Sequence, residues 1–206
     1  MDYNSLTGTK TTAGSIAQWV NRTDLPTAEI LNEAQAWIYQ RMRVREMTVL
    51  NQSFSWPLNS NSVQCPADFL DGISFQPWGW GDTLPFSHEE SMLWPTDPNT
   101  GVLQTDTPSH WTIIGLTAYV DVLCSAIFSG YLLYYGLPAA LGPQNLTNWL
   151  TIRYPRLVRR VCMGIAFEFA KDTERMNEYL QLAENDIAEA ARTNDMFRRS
   201  QYLPSP

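Results

Sequence analysis

Between Arg45 and Arg153 the chain has no lysine and no arginine. Over that stretch nine carboxylates, Glu46, Asp68, Asp71, Asp82, Glu89, Glu90, Asp97, Asp106 and Asp121, stand unopposed, whereas the two flanks together hold 14 basic and 12 acidic residues, a net of +2. The overall charge of −7 is therefore a property of the middle of the chain. A surface of that sign repels phosphates, and the basic residues of the flanks are dispersed, which argues against sequence-specific nucleic-acid binding. Histidine is nearly missing: His88 and His110 are the only two, and neither sits in a recognisable motif with a second histidine, a cysteine or a nucleophile. There is no GxSxG, no HExxH, no phosphate-binding loop and no GxGxxG, so the local signatures of hydrolases, zinc enzymes and nucleotide binders are absent. Cys65, Cys124 and Cys162 are odd in number and widely spaced, a pattern that suggests neither a disulfide framework nor a zinc site. No metal and no cofactor is expected. Residues 1–21 lack a basic start followed by an apolar run, so no secretory signal is expected. The longest apolar stretch, Ile113 to Leu141, carries Gly115, Asp121, Gly130, Gly136 and Pro138, and strands explain it better than a membrane span.

What the chain does hold is apolar and aromatic. Hydrophobic residues make up 44% of the 206 and include eight Trp and nine Tyr, enough to bury a core in one domain or one domain with a large insertion. Charged residues are only 17%, fewer than in an average soluble protein, so part of the surface is expected to lie under partners. The large aromatics suit such interfaces and suit a core equally well, and both readings stand.

The first flank reads as two helices, a short one near Ala13 to Val20 and a longer one from about Pro26 to Arg45. In the second, Ile30, Ala34, Trp37, Ile38 and Met42 recur at helical spacing and Glu29 complements the dipole of the first turn. After Met47 the period changes. Val49 to Trp56, His110 to Ile114, Ala118 to Leu123 and Ala126 to Tyr135 read as strands, and Val63 to Leu70 as a strand running into a tight turn, with a Trp-Gly loop over Pro77 to Asp82 and a short helical piece around Glu89 to Leu93. The last flank holds a helix opened by Pro155 with Leu157, Val161, Ile165 and Phe169 at four-residue intervals, then a second helix capped by Asp172 and running to about Phe197. The fold expected is mainly α, a bundle of about four helices with an inserted small antiparallel β-sheet subdomain. Residues 1–46 and 153–200 form the discontinuous helical frame, 47–152 the acidic β-rich insertion and 201–206 a flexible C-terminal tail.

Few residues are candidates for chemistry. His88-Glu89-Glu90 offers acid, base or metal ligands, but neighbours in a turn point apart, and a solvated helix start is the plainer reading. A glycosidase needs two carboxylates about 5 to 10 Å apart, a spacing that Glu29 with Glu33, or Glu174 with Glu178, meets on one helix face, as pairs on most soluble helices do. The expectation is that the chain is not an enzyme.

Three segments carry a family resemblance. The helix end Arg41-Met42-Arg43-Val44-Arg45-Glu46-Met47, the turn Cys65-Pro66-Ala67-Asp68-Phe69-Leu70, and Asn148-Trp149-Leu150 ahead of the helical pair resemble, in their order and spacing, the head-to-tail adaptor family, the tail accessory factors of short-tailed phages. The resemblance spans roughly Gly14 to Asp195. It implies a homo-oligomeric ring, usually of twelve copies, seated beneath the portal at the head-to-tail junction of the virion, assembled in the host cytoplasm without contact with a membrane. The ring would continue the channel through which double-stranded DNA passes without specific binding, and would receive the downstream tail protein, a nozzle or hub. It also implies that the C-terminal segment reaches the portal, a role that falls here to Arg198, Arg199, Tyr202 and Leu203. The acidic middle adds its own expectation: Asp82, Glu89 and Glu90 face the channel, where repulsion lets DNA slide, and Trp78 and Trp80 face the tail protein. Two other readings stay open, a virion-associated peptidoglycan hydrolase, which requires a cleft with a desolvated carboxylate, and a carbohydrate-binding module, which requires Trp78 and Trp80 as a flat exposed platform.

Overall fold

The structure, a computed structural model, describes residues 1–201, with side chains through Asn194. The chain divides into two compact units, one made of Met1–Glu46 with the chain from Pro138 onward, the other of Met47–Leu137.

The first unit is helical: α1 (Tyr3–Leu6), α2 (Ile16–Val20), α3 (Thr27–Arg41), α4 (Trp149–Arg153), α5 (Pro155–Phe169) and α6 (Thr173–Gln201). Short polar side chains set most of the starts by accepting hydrogen bonds from otherwise orphaned backbone N–H groups. Asp2 accepts from Ser5 N at 2.8 Å, Ser15 from Gln18 N at 3.0 Å, and Asn148 from Thr151 N at 3.2 Å. Pro155 occupies the first turn of α5, where its missing N–H costs nothing, and Asp172 accepts from Arg175 N at 3.2 Å to start α6. The centre of the unit is α5, which packs on α2, α3, α4 and α6. Its buried set is wider than one stripe, with every residue from Val161 to Phe167 inside. Gly164 lets α6 approach closely: a Cβ there would lie 2.8 Å from Leu180 Cδ2. Buried Gln35 of α3 ties down the loop before α4, its Oε1 accepting from Leu141 N at 2.8 Å.

The second unit is built of strands: β1 (Thr48–Trp56), β2 (Ser62–Gln64), β3 (Phe69–Pro77), β4 (Thr105–Asp106), β5 (Trp111–Ile114), β6 (Thr117–Val120), β7 (Leu123–Cys124) and β8 (Phe128–Gly136). They form a sheet β1-β8-β3, a sheet β2-β6-β5 and a parallel pair β4-β7. Alternation along β8 sends Gly130, Leu132, Tyr134 and Gly136 inward. There they join Phe54, Trp56, Phe75 and Trp111 in one aromatic core. Two indole N–H groups are satisfied by the backbone of other strands or loops, Trp56 Nε1 donating to the Ala118 carbonyl and Trp111 Nε1 to that of Leu84, both at 3.1 Å. The Tyr134 hydroxyl donates to Asp68 Oδ1 at 2.9 Å, and burial first, then that carboxylate, pushes it up to about 12. Gly130 is required by close approach: a Cβ there would meet the Gln76 carbonyl oxygen at 2.3 Å and the Phe75 ring at 2.6 Å. A backbone oxygen held in a ladder cannot swing aside, so Gly130→Ala is expected to destabilise this unit by about 2 kcal/mol. Urea denaturation followed by tryptophan fluorescence reads this directly, and an unchanged midpoint would show that the strands can separate there.

The expectation of a mainly α bundle is corrected. Among the described residues helix accounts for 37% and strand for 25%, in six helices and three sheets. Three of the six helices among the described residues have five residues or fewer, so they add little, while most of β3, from Asp71 to Pro77, is strand that no sequence pattern announced. The segment Val63 to Leu70 runs from strand into a tight turn, as expected: Phe69 N donates to the Pro66 carbonyl at 3.0 Å, and the turn separates β2 from β3. The helical piece at Glu89 is a single 3-10 turn, Glu89–Ser91. Among the described residues no helix is long and apolar enough to cross a membrane.

Candidate interaction surface

The most exposed aromatic residue of the β unit, Trp78, lies where β3 leaves the sheet. The last ladder pair of this strand is Pro77 with Gly130. Beyond it, Trp78 N donates to the Ser129 carbonyl at 3.0 Å, Trp80 N to that of Pro77 at 3.2 Å, and Gln76 Nε2 to that of Trp80 at 3.1 Å. Gly79 sits between the two indoles with φ of 80°, a left-handed conformation that a Cβ would strain. This turn props both indoles against β8. Trp78 meets Tyr131 edge-on with centroids 6.5 Å apart, and Trp80 meets Phe128 at 6.0 Å. Neither is covered: Trp78 is 52% exposed, Trp80 42%, Tyr131 42% and neighbouring Ile127 70%. On the outward face of the sheet, which Tyr131 shares, Leu133 pairs with Leu50, itself half exposed. Ile127, Tyr131 and Leu50 were not among the residues expected. Alternation within Ala126 to Tyr135 carries the signal for Tyr131, because residues two apart share a sheet face.

The expected acidic positions are all on the surface of this unit. Asp82, Glu89 and Glu90 are exposed and have no ion-pair or hydrogen-bonded partner for their carboxylates among the described residues, so their charges are fully available to act outward. His88 lies beside them, its ring edge-on to Phe86 at 5.9 Å. The other histidine belongs to a polar cluster that sequence reasoning missed. Buried Asp121 accepts from Ser109 N at 3.0 Å and from the Ser109 hydroxyl, whose oxygen lies 2.9 Å from His110 Nδ1. The serine stands between carboxylate and imidazole, whereas a nucleophile needs the imidazole between the other two. The cluster is a latch that holds the start of β5 to the end of β6. All three cysteines are buried, and burial pushes Cys65 and Cys124 up to about 11 and Cys162 to about 12. At neutral pH they are thiols, without the thiolate that nucleophilic or redox work requires.

In the helical unit two hollows line α5. At its start, Arg156 pairs with Asp186 of α6, whose other oxygen lies 2.7 Å from Arg160 Nη1; Arg153, Tyr154, Leu157, Glu189 and Thr193 complete a hollow of about 260 Å³. At its end, Ile165, Glu168 and Phe169 face Glu29, Ile30 and Glu33 of α3 across a notch of about 230 Å³. The pair Glu29 and Glu33 thus gains a third carboxylate, but all three are exposed, whereas a glycosidase acid sits in a desolvated cleft. Glu174 and Glu178 lie exposed on α6. Arg198 and Arg199 fall on the last turns of α6, with side chains beyond the described set, and Tyr202 and Leu203, with the tail to residue 206, lie outside the described residues. Among the described residues no group of three or more His, Cys, Asp or Glu is placed to hold a metal ion.

A protein-family model described as SU10 adaptor protein matches residues 8–203. No curated protein matches the chain.

Proposed function

The chain belongs to the SU10 adaptor protein family, structural proteins of phages, and on that premise we propose that it forms a ring at the head-to-tail junction, beneath the portal and above the first tail protein. The observation that carries this reading is the pair of uncovered indoles, Trp78 and Trp80, in the turn that follows β3, each propped on a ring of β8, on a unit without a single lysine or arginine. Half-exposed indoles that are propped in place by neighbouring rings bring a large contact area with little entropy left to lose, which is what a protein interface uses for its anchors. The occupant is the downstream tail protein of a short-tailed phage. Asp82, Glu89 and Glu90, exposed and unpaired, would face the channel, where a negative wall keeps double-stranded DNA from adhering as it passes. The C-terminal segment with Arg198, Arg199, Tyr202 and Leu203 would reach the portal, and repetition around a ring of twelve copies would turn one modest contact per subunit into firm attachment.

Native mass spectrometry of the chain alone and mixed with its cognate portal tests this. We expect a monomer that becomes part of a portal-sized ring complex, and a weaker complex when Gln201 to Pro206 are deleted. A chain that ignores the portal at micromolar concentration overturns the ring reading and makes turnover of cell-wall glycan the next assay.

A further inference from the structure

The two ends of the α3–α5 pair carry opposite charge. The first turns of α3 lie beside the last turns of α5, so the helices run antiparallel. At this end the notch has an apolar floor, Ile30 and Ile165, and a rim of Glu29, Glu33 and Glu168, none of which has an ion-pair partner among the described residues. Phe169 closes it. This residue continues the buried series of Leu157, Val161 and Ile165 at four-residue spacing and is nevertheless 49% exposed. At the opposite end Arg41 closes α3 and Arg153 closes α4, while Arg156 and Arg159 occupy the first two turns of α5; all four are exposed. Arg153 lies 3.8 Å from Glu46 and Arg156 pairs with Asp186, whereas Arg41 and Arg159 rest on the rings of Trp37 and Trp19 and meet no carboxylate among the described residues. On α5 the charges stand where its macrodipole opposes them, arginines near the positive N-terminus and Glu168 near the negative C-terminus. Asp186 of α6 holds Arg156 and Arg160 there, but Arg159 and Glu168 have no ion-pair partner among the described residues, and the stability of the helix does not account for their placement. A helix of 15 residues such as α3 is roughly 22 Å long, well beyond the screening length of about 8 Å at physiological salt, so each end presents its own charge.

We propose that the acidic notch of one copy receives the arginine end of a second copy. The methylene stem of one arginine would lie over Ile30, Ile165 and Phe169 while its guanidinium meets the glutamates, a combination that suits arginine, with its planar fork and its affinity for ring faces, better than lysine. Each end repels its own kind, which disfavours a two-fold dimer through either patch. The contact is head-to-tail, and repeated head-to-tail contacts close into a ring when the rotation allows. The inference rests on the ring reading above and names the surfaces that close the ring.

Charge exchange tests it. One variant carries Glu29→Arg and Glu33→Arg, the other Arg41→Glu and Arg153→Glu, and thermal melting by circular dichroism checks that each folds. On the cognate portal, native mass spectrometry should show closed rings for the wild-type chain and at least a tenfold loss of closed rings for either variant alone. An equal mixture should restore them with the two variants alternating, since every contact in that ring again joins opposite charges. If each variant alone closes rings as the wild type does, or if two well-folded variants fail to complement in the mixture, the proposed contact is wrong while the ring itself stands. If the wild-type chain forms no ring on the portal, the ring reading fails and the contact with it. Salt gives a readout without mutation: raising it from 0.1 to 1 M, which shortens the screening length from about 10 to about 3 Å, should open wild-type rings, and rings indifferent to salt would overturn the charge pairing even if the variants misfold.

Discussion

Replacing Trp56 with alanine should lower the stability of the β unit by about 5 kcal/mol, which is on the order of the whole stability of a small domain. The indole is fully buried, edge-on to Phe54 at 5.0 Å and to Phe75 at 4.9 Å, and its N–H is the partner of the Ala118 carbonyl on the other sheet. Removing it opens a cavity too large for the surrounding strands to fill, and also strands a buried acceptor, which adds about 1 to 3 kcal/mol. Trp56→Phe separates the two costs: it keeps most of the packing, loses the hydrogen bond, and should cost about 2 kcal/mol. Guanidinium unfolding followed by circular dichroism measures both. Equal losses for the two variants would mean that the hydrogen bond, rather than the volume, holds the two sheets together.

Trp78 and Trp80 should behave in the opposite way. Each is about half exposed and rests on a single ring of β8, so alanine at either position should leave unfolding within about 1 kcal/mol of the wild type. Under the proposed function, binding of the downstream tail protein to the ring should respond far more strongly. An aromatic anchor at the centre of an interface is worth about 2 kcal/mol or more, roughly 30-fold in Kd, and the double substitution should cost on the order of 1,000-fold. Surface plasmon resonance with immobilised portal–adaptor complex reads the change. A tail protein that binds the doubly substituted ring within a fewfold of the wild type would remove this patch as its docking site. The contrast of Trp56 with Trp78 matters because nothing in composition distinguishes one indole from another; position relative to β8 does.

The helical part was the more legible. Pro155 and Phe169 bound α5 as the spacing of Leu157, Val161 and Ile165 indicated, and the break between α5 and α6 falls at Lys171 and Asp172. What the spacing did not convey was how deeply α5 is buried, because Cys162, Gly164 and Ala166 count weakly in any apolar stripe and yet face other helices. The error in fold class came from β3. Its sequence, with Asp71, Gly72 and Pro77, lacks clean alternation, and the structure shows why: the register shifts between Phe69 and Asp71 and again between Gly72 and Ser74. Each irregularity moves the following side chains to the other face and erases the period of two. The four-residue helix α1 and the two-residue strands β4 and β7 are too short to show any period. Of the interaction surface, Trp78 and Trp80 were readable as a Gly-rich loop with aromatics, while Tyr131 and Leu50 depended on strand register. The opposite charges of the α3–α5 ends needed the antiparallel packing, since Glu29 and Glu168 are far apart in the chain.

The absence of basic residues from the β unit also governs how the protein answers to chemistry applied from outside. Trypsin cuts after lysine and arginine, so it finds no bond to cleave between Arg45 and Arg153, and residues 46–153 would emerge from digestion in one piece whether folded or not. Amine-directed cross-linkers find only Lys10, Lys171 and the chain terminus. Mapping the neighbours of this unit inside a virion therefore calls for carboxylate-directed reagents, to which Asp82, Glu89 and Glu90 offer themselves, and for a protease that cuts at aromatic or acidic residues.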